Sequence, residues 1–158
     1  MNLPQRARRD AEGSESSASF EVNFLQIGSH MTVQRINQIS GEIVDAAMKV
    51  HTALGAGLLE SAYEACLKHE LTRRGLKVLS QVTLPVIYDG VEIDVGYRID
   101  LLVEDAVIVE LKAVERLTPL SQAQLFSYLK LSGRKLGLLI NFNVEHLKNG
   151  IKRIVNGL

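Results

Sequence analysis

Between residues 39 and 75 the apolar positions recur every three or four residues, the spacing of an amphipathic helix. The first run, ISGEIVDAAMKVHTAL, has Ser40 as a candidate N-cap and ends before the segment Gly55-Ala56-Gly57. The second run, LLESAYEACLKHELTRRG, closes on Gly75, a residue type that commonly ends helices. The pattern therefore predicts two successive helices.

From residue 77 onward the pattern changes to aliphatic and β-branched runs, which favour strands. The runs KVLSQVTLPVIY and VEIDVGYRIDLLV are separated by Asp89-Gly90, a strong signal for a hairpin turn. The run VIVELKAV supplies the next predicted strand. These three runs predict an antiparallel meander.

After the meander, TPLSQAQLFSYLKLSG predicts a helix with Thr118 as N-cap and Pro119 at the first helical position. The continuous apolar run KLGLLINF predicts a strand buried on both faces, and VEHLKNGIKRIVNG predicts a closing amphipathic helix. The predicted order is ααβββαβα. Because a strand follows a helix after the meander, we expect an α/β fold with helices covering a central, mixed, four-stranded sheet.

The stretch YRIDLLVEDAVIVELKA, residues 97–113, places charged residues among aliphatic ones. A three-residue loop at 104–106 predicts that Val103 pairs with Val107 and Asp100 with Glu110. Side-chain alternation then collects an aliphatic face, which consists of Ile99, Leu101, Val103, Val107, Val109 and Leu111. The opposite face consists of Arg98, Asp100, Leu102, Ile108, Glu110 and Lys112.

Two carboxylates at cross-strand distance repel each other unless a cation compensates them. Lys112 and Arg98 could do so on a solvated, salt-bridged surface, which is the simplest interpretation of a random hairpin. A sheet covered on both sides weakens that interpretation, because partly buried charges need partners. Clustered carboxylate oxygens are the ligands that Mg²⁺ or Mn²⁺ prefers.

The composition of the chain limits which partners it could bind and indicates the cellular compartment. The 158 residues contain 18 Lys and Arg against 18 Asp and Glu, so nucleic-acid binding would need a local basic patch. Cys66 is the single cysteine, which excludes an intrachain disulfide and suits the cytoplasm. No apolar run approaches the roughly 20 residues of a membrane helix. We therefore expect a cytoplasmic protein without a membrane segment.

The first thirty residues are rich in Ser, Glu and Arg, and we expect residues 1–30 to be mostly disordered. The letters GSHM at 28–31 look like a scar from tag cleavage, which would make Met31 the first native residue. No oligohistidine run lies upstream, so an over-extended start codon or coincidence is the alternative. The remaining chain, residues 32–158, is expected to form a single domain.

Asp100 followed by Glu110-Leu111-Lys112 on the next strand resembles the signature of the PD-(D/E)XK nuclease superfamily. The segment GLLESAY, with Gly57, Glu60 and Tyr63, is similar to the motif of the GxxExxY protein family within that superfamily. The segments YRIDLLV, VIVELKAV, AQLFSYLKL and GLLINFN are also similar to that family, in the same order. The resemblance covers about residues 36–156 and implies a restriction-endonuclease-like core. One departure is Ile99, which stands where the superfamily motif has proline.

The resemblance also implies roles for individual residues. It assigns metal binding to Glu60, Asp100, Glu110 and the main-chain carbonyl of Leu111. Lys112 would orient or activate the attacking water, and Gln124 with Tyr128 would match a QxxxY element of several nuclease branches. Judged from the residues alone, this pair on the helix is equally compatible with facing solvent or contacting substrate. We expect Tyr63 to serve mainly in packing and Gly57 in the geometry of the turn.

The function implied by the resemblance is Mg²⁺- or Mn²⁺-dependent hydrolysis of phosphodiester bonds in nucleic acid, with DNA as the expected partner. The alternative is a catalytically silent nucleic-acid-binding or protein-interaction module that keeps the nuclease fold. Balanced charge and small size favour that alternative. They are equally compatible with a nuclease whose specificity comes from a homodimer or from a partner protein. A third, weaker interpretation is a phosphohydrolase acting on a small nucleotide.

Overall fold

The computed structural model describes residues 31–158, so the expectations for residues 1–30 lie outside the described part of the chain. Two helices come first, α1 (Val33–Leu54) and α2 (Glu60–Arg73), and a third, α3 (Pro119–Ser132), comes later. The strands are β1 (Val78–Thr83), β2 (Val86–Tyr88), β3 (Val91–Ile93), β4 (Arg98–Val103), β5 (Val107–Lys112), β6 (Leu136–Asn141) and β7 (Ile151–Val155). A 3₁₀ turn, Leu147–Gly150, precedes β7.

The central sheet has five strands in the order β1-β4-β5-β6-β7. Strands β5 and β6 are parallel, and the other neighbours are antiparallel. Strands β2 and β3 form a separate hairpin. Val103 pairs with Val107, so the predicted register of the β4–β5 hairpin is confirmed. The mixed α/β fold predicted from the sequence is confirmed as well.

Two apolar clusters cover the two faces of the sheet. The larger cluster joins α1 and α2 to residues such as Leu101, Val109 and Leu111, and the smaller joins α3 to Leu102 and Ile108. Strand β6 is buried along its whole length, as its continuous apolar run predicts. The helices therefore cover both faces of the sheet, and the β4–β5 hairpin lies in its centre.

The closing helix predicted over residues 144–157 is wrong, and the sheet has five strands instead of four. The segment forms the 3₁₀ turn and then β7, which pairs antiparallel with β6. A buried β6 with an open edge would leave backbone groups unpaired, and β7 satisfies them. The β-branched residues Ile151, Ile154 and Val155 also suit a strand.

Three smaller expectations also need correction. Helix α1 begins seven residues before Ser40, and its N-cap is Thr32, whose side chain accepts a hydrogen bond from the Arg35 amide. The run KVLSQVTLPVIY is interrupted at residues 84–85, where Pro85 lacks the amide that a ladder needs. Ile99 packs in the smaller cluster with Leu102, away from Leu101, so side-chain alternation breaks at this end of β4.

Helix α2 is fixed to α1 by a group of ion pairs around Glu70, whose side chain is only 9% exposed. Its carboxylate accepts hydrogen bonds from Lys49 and Arg74, and Arg74 also pairs with Asp45. These donors, Lys49 first, lower the pKa of Glu70 to about 2. The contacts fix the helix whose first residue is Glu60. Within residues 31–158, no helix is long and apolar enough to cross a membrane.

Candidate active site

The β4–β5 hairpin brings Asp100 and Glu110 together by reciprocal hydrogen bonds. Regular pairing between the two strands ends at Leu101 and Val109. Beyond that point the Asp100 amide donates to Glu110 Oε1 at 3.1 Å, and the Leu111 amide donates to Asp100 Oδ2 at 2.9 Å. Each carboxylate thus accepts an amide proton that would otherwise need a carbonyl of the opposite strand. The backbone itself positions both carboxylates.

Burial makes the charge on Glu110 unfavourable. The residue is 7% exposed, and burial together with the nearby Asp100 carboxylate raises the pKa of Glu110 to about 8. The hydrogen bond from the Asp100 amide and the charge of Lys112 oppose this shift only in part. A further cation beside the two carboxylates would favour the ionised form of Glu110.

Glu60 approaches the same carboxylates from the first turn of α2. Its pKa is raised by burial, then by the charge of Asp100, while Lys112 acts in the opposite direction and Glu64 adds to the rise. The half-buried Glu60 and Lys112 are therefore electrostatically coupled to the hairpin. The structure joins Asp100 and Glu110 by hydrogen bonds, and it places Glu60 within electrostatic range of Asp100 and Lys112.

The turn before α2 is held by Tyr63, which is fully buried as expected for a packing residue. Its hydroxyl donates to the Gly55 carbonyl at 2.6 Å and accepts from the Leu58 amide at 3.1 Å. Its ring stacks on Phe142 with a centroid distance of 4.5 Å. Gly57 lies between these anchors with φ of 98°, a conformation that glycine adopts without strain. Tyr63 and Gly57 thus fix the point at which α2 begins.

Replacing Tyr63 by Phe removes the hydroxyl and keeps the stacked ring. We expect the free energy of unfolding to fall by about 1 kcal/mol, because the part-buried Gly55 carbonyl and Leu58 amide lose their partner. Chemical denaturation of the two proteins measures the difference. Tyr88→Phe is the matched control, since Tyr88 is 73% exposed and its substitution should have little effect. Equal stability of Tyr63→Phe and wild type would contradict this role of the hydroxyl.

Helix α3 contributes Gln124 and Tyr128 from the other face of the sheet. Gln124 Nε2 donates to the Tyr128 hydroxyl at 3.0 Å. Tyr128 is buried, and burial followed by the charge of Glu110 raises its pKa. Gln124 is exposed. The sequence left open whether this pair faces solvent or substrate. For Tyr128 the solvent-facing interpretation is wrong, because the residue is buried and the charges of Glu110 and Asp100 act on its hydroxyl.

A family model of the PD-(D/E)XK nuclease superfamily matches residues 37–154. The chain belongs to this superfamily. The comparisons with curated proteins and with solved structures gave no significant match. Membership gives nucleic acid as the class of substrate, and PD-(D/E)XK nucleases generally use divalent metals.

The donors at the hairpin fit a hard divalent cation of the kind that PD-(D/E)XK nucleases use. Among residues 31–158, no three His, Cys, Asp or Glu side chains are grouped closely enough to hold a metal by themselves. Mg²⁺ does not need such a group, since it commonly takes one or two carboxylates and keeps several waters. In an extended strand the amide and the carbonyl of one residue lie on the same edge, and the Leu111 amide donates to Asp100. The hairpin therefore offers two adjacent carboxylates, and the Leu111 carbonyl is expected on the same edge of β5.

Sequence reasoning missed three residues at this candidate site. Glu64 lies one helical turn after Glu60, and that spacing could have identified it. Tyr97 packs its ring against Tyr128 at 5.6 Å, and its place just before β4 was the only hint. Gln81 donates to Glu64 and towards Asp100, but nothing in the regular pattern of β1 indicated it.

Proposed function

We propose that this chain is a divalent-metal-dependent nuclease that hydrolyses phosphodiester bonds, with DNA as its substrate and Mg²⁺ or Mn²⁺ as its metal. The observation that supports this most strongly is the Asp100–Glu110 pair, in which two carboxylates exchange hydrogen bonds with the opposite backbone in a largely buried hairpin. Such a pair is a poor structural element, because buried carboxylates are costly without compensating charge. It is a good preformed cation site.

The residues divide into ligands and residues that act on water or substrate. Asp100, Glu110 and the Leu111 carbonyl would hold the metal, with Glu60 as the additional carboxylate from α2. The bound metal would act as a Lewis acid on the phosphate and lower the pKa of a water. Lys112 lies two residues after Glu110 and shares its side of β5, where its ammonium would orient the attacking water.

Gln124 and Tyr128 would contact the substrate beside the carboxylates. Tyr128 is buried within range of Glu110, and its hydroxyl accepts the Gln124 amide, so the exposed Gln124 is held in one orientation. The pair would position a phosphate or base relative to the metal. Placing both side chains by one hydrogen bond lowers the entropy cost of binding.

Within the superfamily we assign the chain to the GxxExxY branch. Gly57, Glu60 and Tyr63 form a connected unit that supports the assignment. Gly57 allows the turn, Tyr63 holds the backbone on both sides of it, and Glu60 is thereby presented to the hairpin. The spacing of the motif thus has a mechanical explanation in this chain.

Calorimetric titration with Mn²⁺ tests the proposal and separates it from a silent module that keeps the fold. Wild type should release or absorb heat on binding, and Asp100→Ala should lose that heat because a ligand is removed. Glu92→Ala, an exposed acidic residue on β3, is the control and should bind like wild type. Absence of binding at millimolar Mn²⁺ in wild type would favour the silent module.

A further inference from the structure

Gln81 interrupts β1 directly opposite Asp100. Its φ is 54°, in the left-handed region that side-chain-bearing residues rarely adopt. The pairing of β1 with β4 is regular on both sides of this point but skips Gln81 and Asp100. Among residues 31–158 the other non-glycine residues with positive φ are Asp89, Glu104 and Asp105, and all of them lie in hairpin turns. Gln81 alone of these four has this strained conformation inside a strand.

The side chain of Gln81 reaches two carboxylates from this position. Its Nε2 donates to Glu64 Oε1 and Oε2 at 3.1 and 3.0 Å, and to Asp100 Oδ1 at 3.4 Å. The other oxygen of Asp100, Oδ2, accepts from the Leu111 amide. Both oxygens of Asp100 therefore have a donor, one from β1 and one from β5. Gln81 also joins α2 to the strand that carries Asp100.

We propose that Gln81 is a positioning residue of the metal site, which fixes the Asp100 carboxylate and ties Glu64 of α2 to it. This inference rests on the proposed function, since it assumes that Asp100 binds the metal. Backbone strain inside a regular element is retained where a particular side-chain direction is needed, and here the strain turns an amide donor towards two acceptors. Without that donor, Asp100 gains rotational freedom and faces the negative charge of Glu64 with less compensation.

Two substitutions separate the side chain from the backbone. Gln81→Met keeps the volume and the strained backbone but removes the donor, whereas Gln81→Gly removes the donor and relieves the strain. Both should weaken Mn²⁺ binding by about 10-fold to 100-fold, the usual effect of removing a residue that orients a ligand. Thermal unfolding of metal-free Gln81→Gly should occur at or above the temperature of wild type.

Asp89→Gly is the matched control, because it relieves the same left-handed strain at an exposed turn. It should leave Mn²⁺ affinity unchanged in titration calorimetry. The proposal is overturned if Gln81→Met and Gln81→Gly both bind Mn²⁺ as tightly as wild type. It is also overturned if Gln81→Gly loses both thermal stability and Mn²⁺ affinity while Gln81→Met keeps the wild-type Mn²⁺ affinity. The backbone conformation at residue 81, and not the amide donor, would then support metal binding.

The same titrations distinguish failure of this inference from failure of the proposed function. If wild type binds Mn²⁺ and Asp100→Ala does not, the metal site stands, and the Gln81 variants decide the inference alone. If wild type and Asp100→Ala are indistinguishable, both the proposed metal site and the role of Gln81 are refuted.

Discussion

In metal-free buffer at pH 8, Glu110→Gln is expected to be more stable than wild type, by up to about 4 kcal/mol in the free energy of unfolding. Burial and the Asp100 charge raise the pKa of Glu110 from 4.5 to about 8. The neutral amide of Gln resembles the protonated carboxyl group, and its oxygen can still accept the Asp100 amide. The substitution therefore removes the cost of a buried negative charge and keeps the hydrogen bond.

The pH dependence follows from the same shift. Because the pKa is higher in the folded protein, the folded state binds this proton more tightly than the unfolded chain. Below about pH 4.5 Glu110 is protonated in both the folded and the unfolded protein, and its full contribution to the free energy of unfolding is present. Its contribution is lost as the pH rises towards 8. Glu110→Gln should lack this decline between the two pH values.

Denaturation curves of wild type and Glu110→Gln across pH 4.5–8 in EDTA measure the difference. Glu92→Gln, at an exposed position, should follow wild type at every pH. Adding Mn²⁺ should reverse the order, since wild type gains stability by binding the cation and Glu110→Gln has lost a ligand. Parallel curves for wild type and Glu110→Gln would contradict the account of Glu110 as a buried acid whose negative charge destabilises the metal-free fold.

Lys112→Ala is expected to lower the rate of phosphodiester cleavage by about 10²-fold to 10⁴-fold, the range for loss of a group that handles the reacting water. Mn²⁺ affinity should stay within a few-fold of wild type, because an ammonium is not a metal ligand. Single-turnover cleavage with saturating enzyme and metal isolates the chemical step. Lys77→Ala, which removes an exposed lysine just before β1, should cleave like wild type. A Lys112→Ala variant that cleaves at the wild-type rate would exclude this lysine from the reaction.

The geometry of the hairpin could be predicted from the sequence because its determinants are local. A three-residue loop fixes the pairing of Val103 with Val107, and counting back along that register places Asp100 opposite Glu110. What the register could not show is that regular pairing ends before these two residues and that each carboxylate accepts a backbone amide proton. That detail depends on the competition between side-chain and main-chain acceptors.

The closing segment, residues 144–157, was mispredicted because the spacing of its apolar residues favours a helix while their β-branched type favours a strand. Ile151 and Ile154 are three residues apart, as on a helix face, yet both are β-branched and lie half-buried in β7. The segment forms a strand because it pairs with the open edge of β6, and that edge exists only in the tertiary structure. The failure at Gln81 is of another kind. The residues of β1 alternate regularly between half-buried and exposed, and only the backbone angle reveals the strain.

The most direct test of the central claim is cleavage of plasmid DNA, single-stranded DNA and RNA by wild type and Glu110→Ala with Mg²⁺ or Mn²⁺. Our account predicts cleavage by wild type that EDTA abolishes, and none above background by Glu110→Ala, whose substitution removes a proposed metal ligand. Equal cleavage by the two proteins would show that the activity does not come from this site. A wild type that binds Mn²⁺ but cleaves none of the substrates would contradict the proposed nuclease activity.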